Sequence, residues 1–100
     1  MNRKLRDLLL GINIIKQIGE TDKPICDIVF DSRKVKKDSL FVAQKGTQID
    51  GHDFIDSAIN DGASVVVLEQ MPNQIKENIT YLQVEDSAKA LALLARNYYD

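Results

Sequence analysis

Apolar residues recur along this chain in short runs, each broken by polar residues or glycine. Leu5, Leu8 and Leu9 stand at helical spacing before Gly11, which predicts a short helix over residues 3–10. Ile14, Ile15 and Ile18 form a β-branched stretch that Gly19 ends. Cys26 to Phe30 reads as a strand with Asp31-Ser32-Arg33 at its exit, and residues 34–38 as a charged turn. Leu40 to Ala43 is long enough for a buried strand and too short for a helix. Residues 44–52 are polar, hold Gly46 and Gly51, and read as a loop. Asp53 then opens a helix over 53–61 with Phe54, Ile55, Ala58 and Ile59 on one face, and Gly62 stands at its C-terminal cap. Ser64 to Leu68, with three consecutive valines, is the clearest strand. A connection at 71–78 carries Pro72 and leads to a fifth extended segment from Thr80 to Val84. Asp86 is a good N-cap for a last helix marked by Leu91, Leu94, Ala95 and Tyr98.

Strands alternating with helices in the second half predict an α/β layer architecture, with one small mixed sheet of about five strands flanked by helices. The helix at 53–61 joins two buried strands and is expected to be a crossover between parallel neighbours. Antiparallel pairing is expected in the less regular first half. Phe41, Val66 and Leu91 are the expected core anchors. The sequence ends at Asp100, directly after a helix stripe, where a domain boundary is expected.

Composition narrows the class. The 100 residues suffice for one domain, and 44% are apolar, enough to fill its core. Fifteen acids against thirteen bases leave a net charge of −2, which argues against nucleic acid as a partner. A single cysteine allows no internal disulfide and suits a reducing compartment. Arg3, Lys4 and Arg6 precede Leu8, Leu9 and Leu10, but Gly11, Asn13 and Lys16 cut the run short of the ~7–15 apolar residues of an export signal. No window approaches the ~20 apolar residues of a membrane span. A cytoplasmic monomer without a membrane partner is the expectation.

Candidate chemistry is sparse. Gly46 and Gly51 enclose four residues, as in the first half of a phosphate loop, but His52-Asp53 stand where lysine and a hydroxyl residue should follow. Asp50 and Asp53 would repel a triphosphate. A helix N-terminus at 52–54 can still accept a single diphosphate oxygen. His52 is the only histidine, too few with Cys26 for a zinc site, and reads as a capping or hydrogen-bonding residue. No G-x-S-x-G elbow accompanies Ser32 or Ser39. Arg33, Lys34, Lys36 and Lys37 form a solvated basic turn or a weak attractor of small anions. Cys26 reads as an inert strand residue.

A longer pattern adds more. Asp31-Ser32-Arg33, Leu40-Phe41-Val42-Ala43, Gly46, Asp50-Gly51-His52-Asp53-Phe54-Ile55, Ala58 and Gly62-Ala63 together resemble the N-terminal domain of the Mur ligases, cytoplasmic enzymes that build the peptide stem of peptidoglycan. Two members share the pattern most closely, the ligase adding the third stem residue and the one adding the terminal dipeptide. The string from Gly46 to His52 is more similar to the former. The resemblance implies a division of labour. This domain holds the uridine diphosphate end of UDP-N-acetylmuramoyl-L-alanyl-D-glutamate, while a central domain binding ATP and Mg and a C-terminal domain, both absent from these residues, supply catalysis. It implies no cofactor and no activity for these 100 residues alone, and meso-diaminopimelate as the default amino acid added. By position, Ser32 falls on a nucleotide-sugar contact and Phe30 on a neighbouring one often held by an aliphatic residue. Thr47, Gln48 and Ile49 fall on the diphosphate/uridine loop. Thr47 and Ile49 depart from the His-Gln-Ala version of that loop, so backbone N–H groups are the contacts that carry over. Gly46 and Gly51 are expected to let backbone amides face the anion. A stand-alone nucleotide-sugar-binding or interaction module is the rival reading.

Overall fold

Three consecutive valines hide all their side chains only in a strand covered on both faces, and Val65–Leu68 forms one. The computed structural model describes residues 3–99. In chain order it holds β1 (Arg3–Lys4), α1 (Leu5–Leu8), β2 (Lys16–Ile18), β3 (Pro24–Ile25), β4 (Asp27–Val29), β5 (Ser39–Val42), α2 (Ile55–Asn60), β6 (Val65–Leu68), β7 (Thr80–Gln83) and α3 (Ser87–Tyr99). Two 3-10 turns, Ser32–Lys34 and Gly51–Phe54, follow β4 and precede α2.

The five-stranded sheet runs in the order β2-β7-β6-β5-β4. From β4 to β7 every pair is parallel, with Val29 opposite Phe41, Phe41 opposite Val66 and Val66 opposite Tyr81. At one edge β2 is antiparallel to β7, as expected of the first half. The sheet is therefore mixed, five-stranded and flanked by helices, as the sequence predicts.

Alternation along β5 and β6 divides the core. Leu40, Val42, Val65 and Val67 face α1 and α3, while Phe41, Ala43, Val66 and Leu68 face α2. Asp86 caps α3 by accepting the Lys89 amide at 3.1 Å. At its far end α3 is tied down by Asn97, which donates to the carbonyls of Leu8 and Leu10, and by the Tyr98 hydroxyl, which donates to the Cys26 carbonyl. After α2, Gly62 takes a left-handed φ of +123°, and a Cβ there would lie 2.7 Å from the Lys37 nitrogen.

Several expectations need correction. Leu91 is only half-buried, because the inward stripe of α3 runs through Ser87, Ala90 and Leu94. Phe54 is exposed, since it lies in the 3-10 turn and the 3.6-residue period of α2 begins after it. The first helix is a single turn, preceded by β1, which pairs with β3 in a two-stranded ribbon that no periodicity announced. No helix among the described residues is long and apolar enough to cross a membrane.

Two outcomes test this packing. Phe41→Ala should lower unfolding stability by ~3–5 kcal/mol, because the ring is sealed between α2 and the sheet. A wild-type midpoint in urea for this variant would contradict the placement of β5. Gly62→Ala should cost more than about 1 kcal/mol through its positive φ and the Lys37 backbone, whereas Ala92→Gly on the exposed face of α3 should stay near 1 kcal/mol. Equal losses in urea melts would show that Gly62 is not conformationally required.

Candidate functional site: the carboxyl edge of the parallel strands

β4 and β5 are parallel neighbours, so the segments leaving them emerge from the same end of the sheet. Asp31 leaves β4 extended and caps the following 3-10 turn, its Oδ1 accepting the Arg33 amide at 3.0 Å. The same carboxylate takes a bidentate pair from the Arg33 guanidinium, Nε to Oδ1 at 3.0 Å and Nη2 to Oδ2 at 2.8 Å. The Arg33 side chain and then its amide hold the Asp31 carboxyl down to about 2. Arg33 is thereby committed to its neighbour. Ser32, between them, has a hydroxyl that bonds to no other described residue. Phe30, just upstream, is 61% exposed.

The loop after β5 closes on itself. Gly46 donates to the Ile49 carbonyl at 2.9 Å and Gly51 to the Gln44 carbonyl at 2.7 Å, with Lys45 opposite Asp50. Both glycine amides are therefore engaged within the loop, and the amides left to face an anion are those between them. Gly51 is required by proximity instead, since a Cβ there would lie 2.6 Å from the Gln44 nitrogen. Thr47, Gln48 and Ile49 form the exposed tip, and their amides donate to no other described residue.

Asp50 repeats the device of Asp31. Its Oδ1 accepts the His52 amide at 3.0 Å and lies 2.7 Å from His52 Nδ1. The backbone and then the ring of His52 hold the Asp50 carboxyl below the usual carboxylate range. This carboxylate occupies the amino end of the 3-10 turn, so a diphosphate oxygen cannot also be received at 52–54. The other face of the imidazole meets the end of β6, with Nε2 at 3.0 Å from the Glu69 nitrogen and 3.3 Å from the Gln70 nitrogen. A backbone nitrogen can only donate, so Nε2 carries the lone pair and Nδ1 the proton. His52 is thus the hydrogen-bonding residue its position suggested.

The five singled-out residues fall in two groups. Phe30 and Ser32 follow β4, and Thr47, Gln48 and Ile49 cap the loop after β5, with no hydrogen bond between the groups. The basic cluster is split. Arg33 lies at the carboxyl edge, but Lys37 sits at the opposite end of the sheet, where its carbonyl accepts the Cys26 thiol. Sequence reasoning missed Glu69, whose amide meets His52, whose carbonyl accepts the Gln83 amide group and whose carboxylate accepts the Ser87 amide. The shared spacing of Asp31-Ser32-Arg33 and Asp50-Gly51-His52 was a legible signal of two capped turns; nothing local marked Glu69. No group of three or more His, Cys, Asp or Glu that could hold a metal ion occurs among the described residues.

A family model described as "Mur ligase family, catalytic domain" matches residues 25–99. The chain is 43% identical over 98 residues to the UDP-N-acetylmuramoyl-L-alanyl-D-glutamate--2,6-diaminopimelate ligase of Cytophaga hutchinsonii, covering 97% of this chain and 20% of that protein. It is 41% identical over 96 residues to the enzyme of the same name from Phocaeicola vulgatus, covering 96% of this chain and 20% of the relative. The chain thus spans about a fifth of the length of the curated relatives it matches. Its fold is similar to a crystal structure of MurF from Acinetobacter baumannii, with a TM-score of 0.81 at 23% identity, over 97% of this chain and 21% of that one. Covered by the family model from residue 25 to residue 99, the chain belongs to the Mur ligase family.

Proposed function

We propose that these residues are the N-terminal, substrate-anchoring domain of a cytoplasmic, ATP-dependent ligase, one that adds the third residue of the peptidoglycan stem. In this reading they hold the uridine diphosphate end of UDP-N-acetylmuramoyl-L-alanyl-D-glutamate. The relatives' names supply the substrate, and 2,6-diaminopimelate as the amino acid added. One observation carries the reading to particular atoms. The Ser32 hydroxyl and the amides of Thr47, Gln48 and Ile49 are uncommitted donors at one edge of two adjacent parallel strands. Ligands of open α/β sheets bind at that edge.

ATP and Mg do not fit here. His52 stands in place of a phosphate-loop lysine and is engaged on both ring nitrogens, and Asp50 and Asp53 flank it. In this proposal both belong to other parts of the full-length ligase, in the same polypeptide. A few amides and one hydroxyl supply ~4–5.5 kcal/mol, a Kd of roughly 0.1–1 mM for UDP.

A chemical-shift titration of the labelled chain with UDP tests this. Shifts should cluster on residues 30–33 and 46–52. Ser32→Ala should cost about 1.5–3 kcal/mol of binding with an unchanged urea midpoint, while Lys36→Ala, remote from the edge, should change little. Shifts confined to 71–79, or none at 10 mM UDP (roughly ten times the weakest expected Kd), would remove the reading.

The Asp31 turn makes a second prediction. A carboxyl depressed to about 2 stabilises the turn fully above the ordinary range near 3.8, and that contribution fades as pH falls through about 2. The Asp31 carboxyl carbon should titrate with a midpoint near 2, and the Arg33 amide should move with it. A midpoint at the ordinary value would mean that the bridge is not held in solution.

A further inference from the structure

The exposed tip at 47–49 is not held by apolar packing. Ile49, its one large apolar residue, is 65% exposed. The tip is set by its base, which backbone bonds close and one imidazole ties to the end of β6. His52 Nδ1 donates to Asp50, which sits opposite Lys45 at the root of the loop. His52 Nε2 accepts from Glu69 and Gln70, just beyond β6. Glu69 is itself held on two further sides, by the Gln83 side chain at the end of β7 and by the Ser87 amide at the start of α3. A continuous hydrogen-bonded path therefore runs from the loop root through His52 to three elements of the fold.

We infer that His52 is a positioning residue for nucleotide-diphosphate binding, fixing the 46–49 loop to the end of β6 so that its free amides point in one direction. The inference rests on the proposed role of that loop. The two ring nitrogens do different work. Asp50 already accepts the backbone amide of residue 52, so the Nδ1 bond reinforces a turn that exists without it. The Nε2 bonds are the only side-chain link between loop and β6 among the described hydrogen bonds, and their loss leaves the Glu69 and Gln70 amides without that acceptor. Acceptance at Nε2, rather than donation at Nδ1, is the function that matters.

Two near-isosteric replacements separate these roles. In His52→Gln the amide oxygen reaches the Nε2 position and can accept from residues 69 and 70. In His52→Asn the shorter amide reaches only the Nδ1 position and can donate to Asp50. His52→Ala removes both. The 15N spectrum of the wild type should show a protonated Nδ1 and an unprotonated Nε2. UDP affinity should fall about fivefold or more in His52→Ala and His52→Asn, and recover to within about twofold of wild type in His52→Gln. Hydrogen exchange at the Gly46 and Gly51 amides should accelerate in the same order. If His52→Ala does not fold, the Gln and Asn variants carry the same comparison.

Equal affinities in all variants, or rescue by Asn and not by Gln, would overturn the assignment. Failure of the wild type to bind UDP would overturn the ligand reading alone. The anchoring is then decided by exchange at Gly51, and unchanged protection in His52→Asn would sink that too.

Discussion

Burial of β5 and β6 on both faces is the constraint from which the architecture follows. Each presents four consecutive buried residues, so neither face of the sheet can be left to solvent. Ile55 and Ala58 of α2 cover one face, and Leu94, Ala90, Leu5 and Leu8 cover the other. Parallel pairing from β4 to β7 sends each connection back along the sheet before the next strand begins. The carboxyl ends of all four strands therefore gather at one edge. The location of the candidate site is a consequence of topology before any of its side chains is chosen.

At that edge the backbone leaves the sheet, and its amides need other acceptors. Asp31 and Asp50 solve the problem in the same way, each taking the amide and the side chain of the residue two positions on. Each carboxylate fills the position an anion would take at the start of its turn, and Asp31 also neutralises the nearest guanidinium. The edge is left with neutral directional donors, beside the exposed ammonium groups of Lys34 and Lys45.

Most of the sheet was legible because its strands are marked by short apolar or alternating runs: Ser64 to Leu68, Leu40 to Ala43 and Thr80 to Val84 lie within a residue of the observed strands. The ribbon of β1 and β3 was not, because two residues per strand carry no alternation, and Ile25 is its one deeply buried side chain. Leu91 misled because helical spacing fixes a stripe only to within a residue or two; the approach of α1 and the sheet selects Ala90 and Leu94. At the candidate site, the family pattern pointed to Ser32 and the 47–49 tip, while the use of the Gly46 and Gly51 amides was invisible. Whether a glycine donates outward or across its own loop depends on closure, and the histidine beside that closure meets Glu69 and Gln70, seventeen and eighteen residues further on.

Directional recognition also decides what such an edge can discriminate. A cluster of free guanidinium and ammonium groups would attract any phosphate, because Coulombic attraction is long-ranged and indifferent to shape. Amides and a hydroxyl act only at hydrogen-bond distance and in fixed directions. Under the proposed function, the exposed Lys34 and Lys45 add only screened attraction, and affinity rises further when the same molecule also covers apolar surface. Phe30 precedes one group of donors and Ile49 closes the other, both exposed. Burying such surface contributes about 25 cal/mol per Å², so even 100 Å² covered by a base adds roughly 2.5 kcal/mol, comparable to one charged hydrogen bond. Directional donors and exposed apolar side chains at one edge favour a ligand that has both a diphosphate and a ring. One that has only the charge gains less.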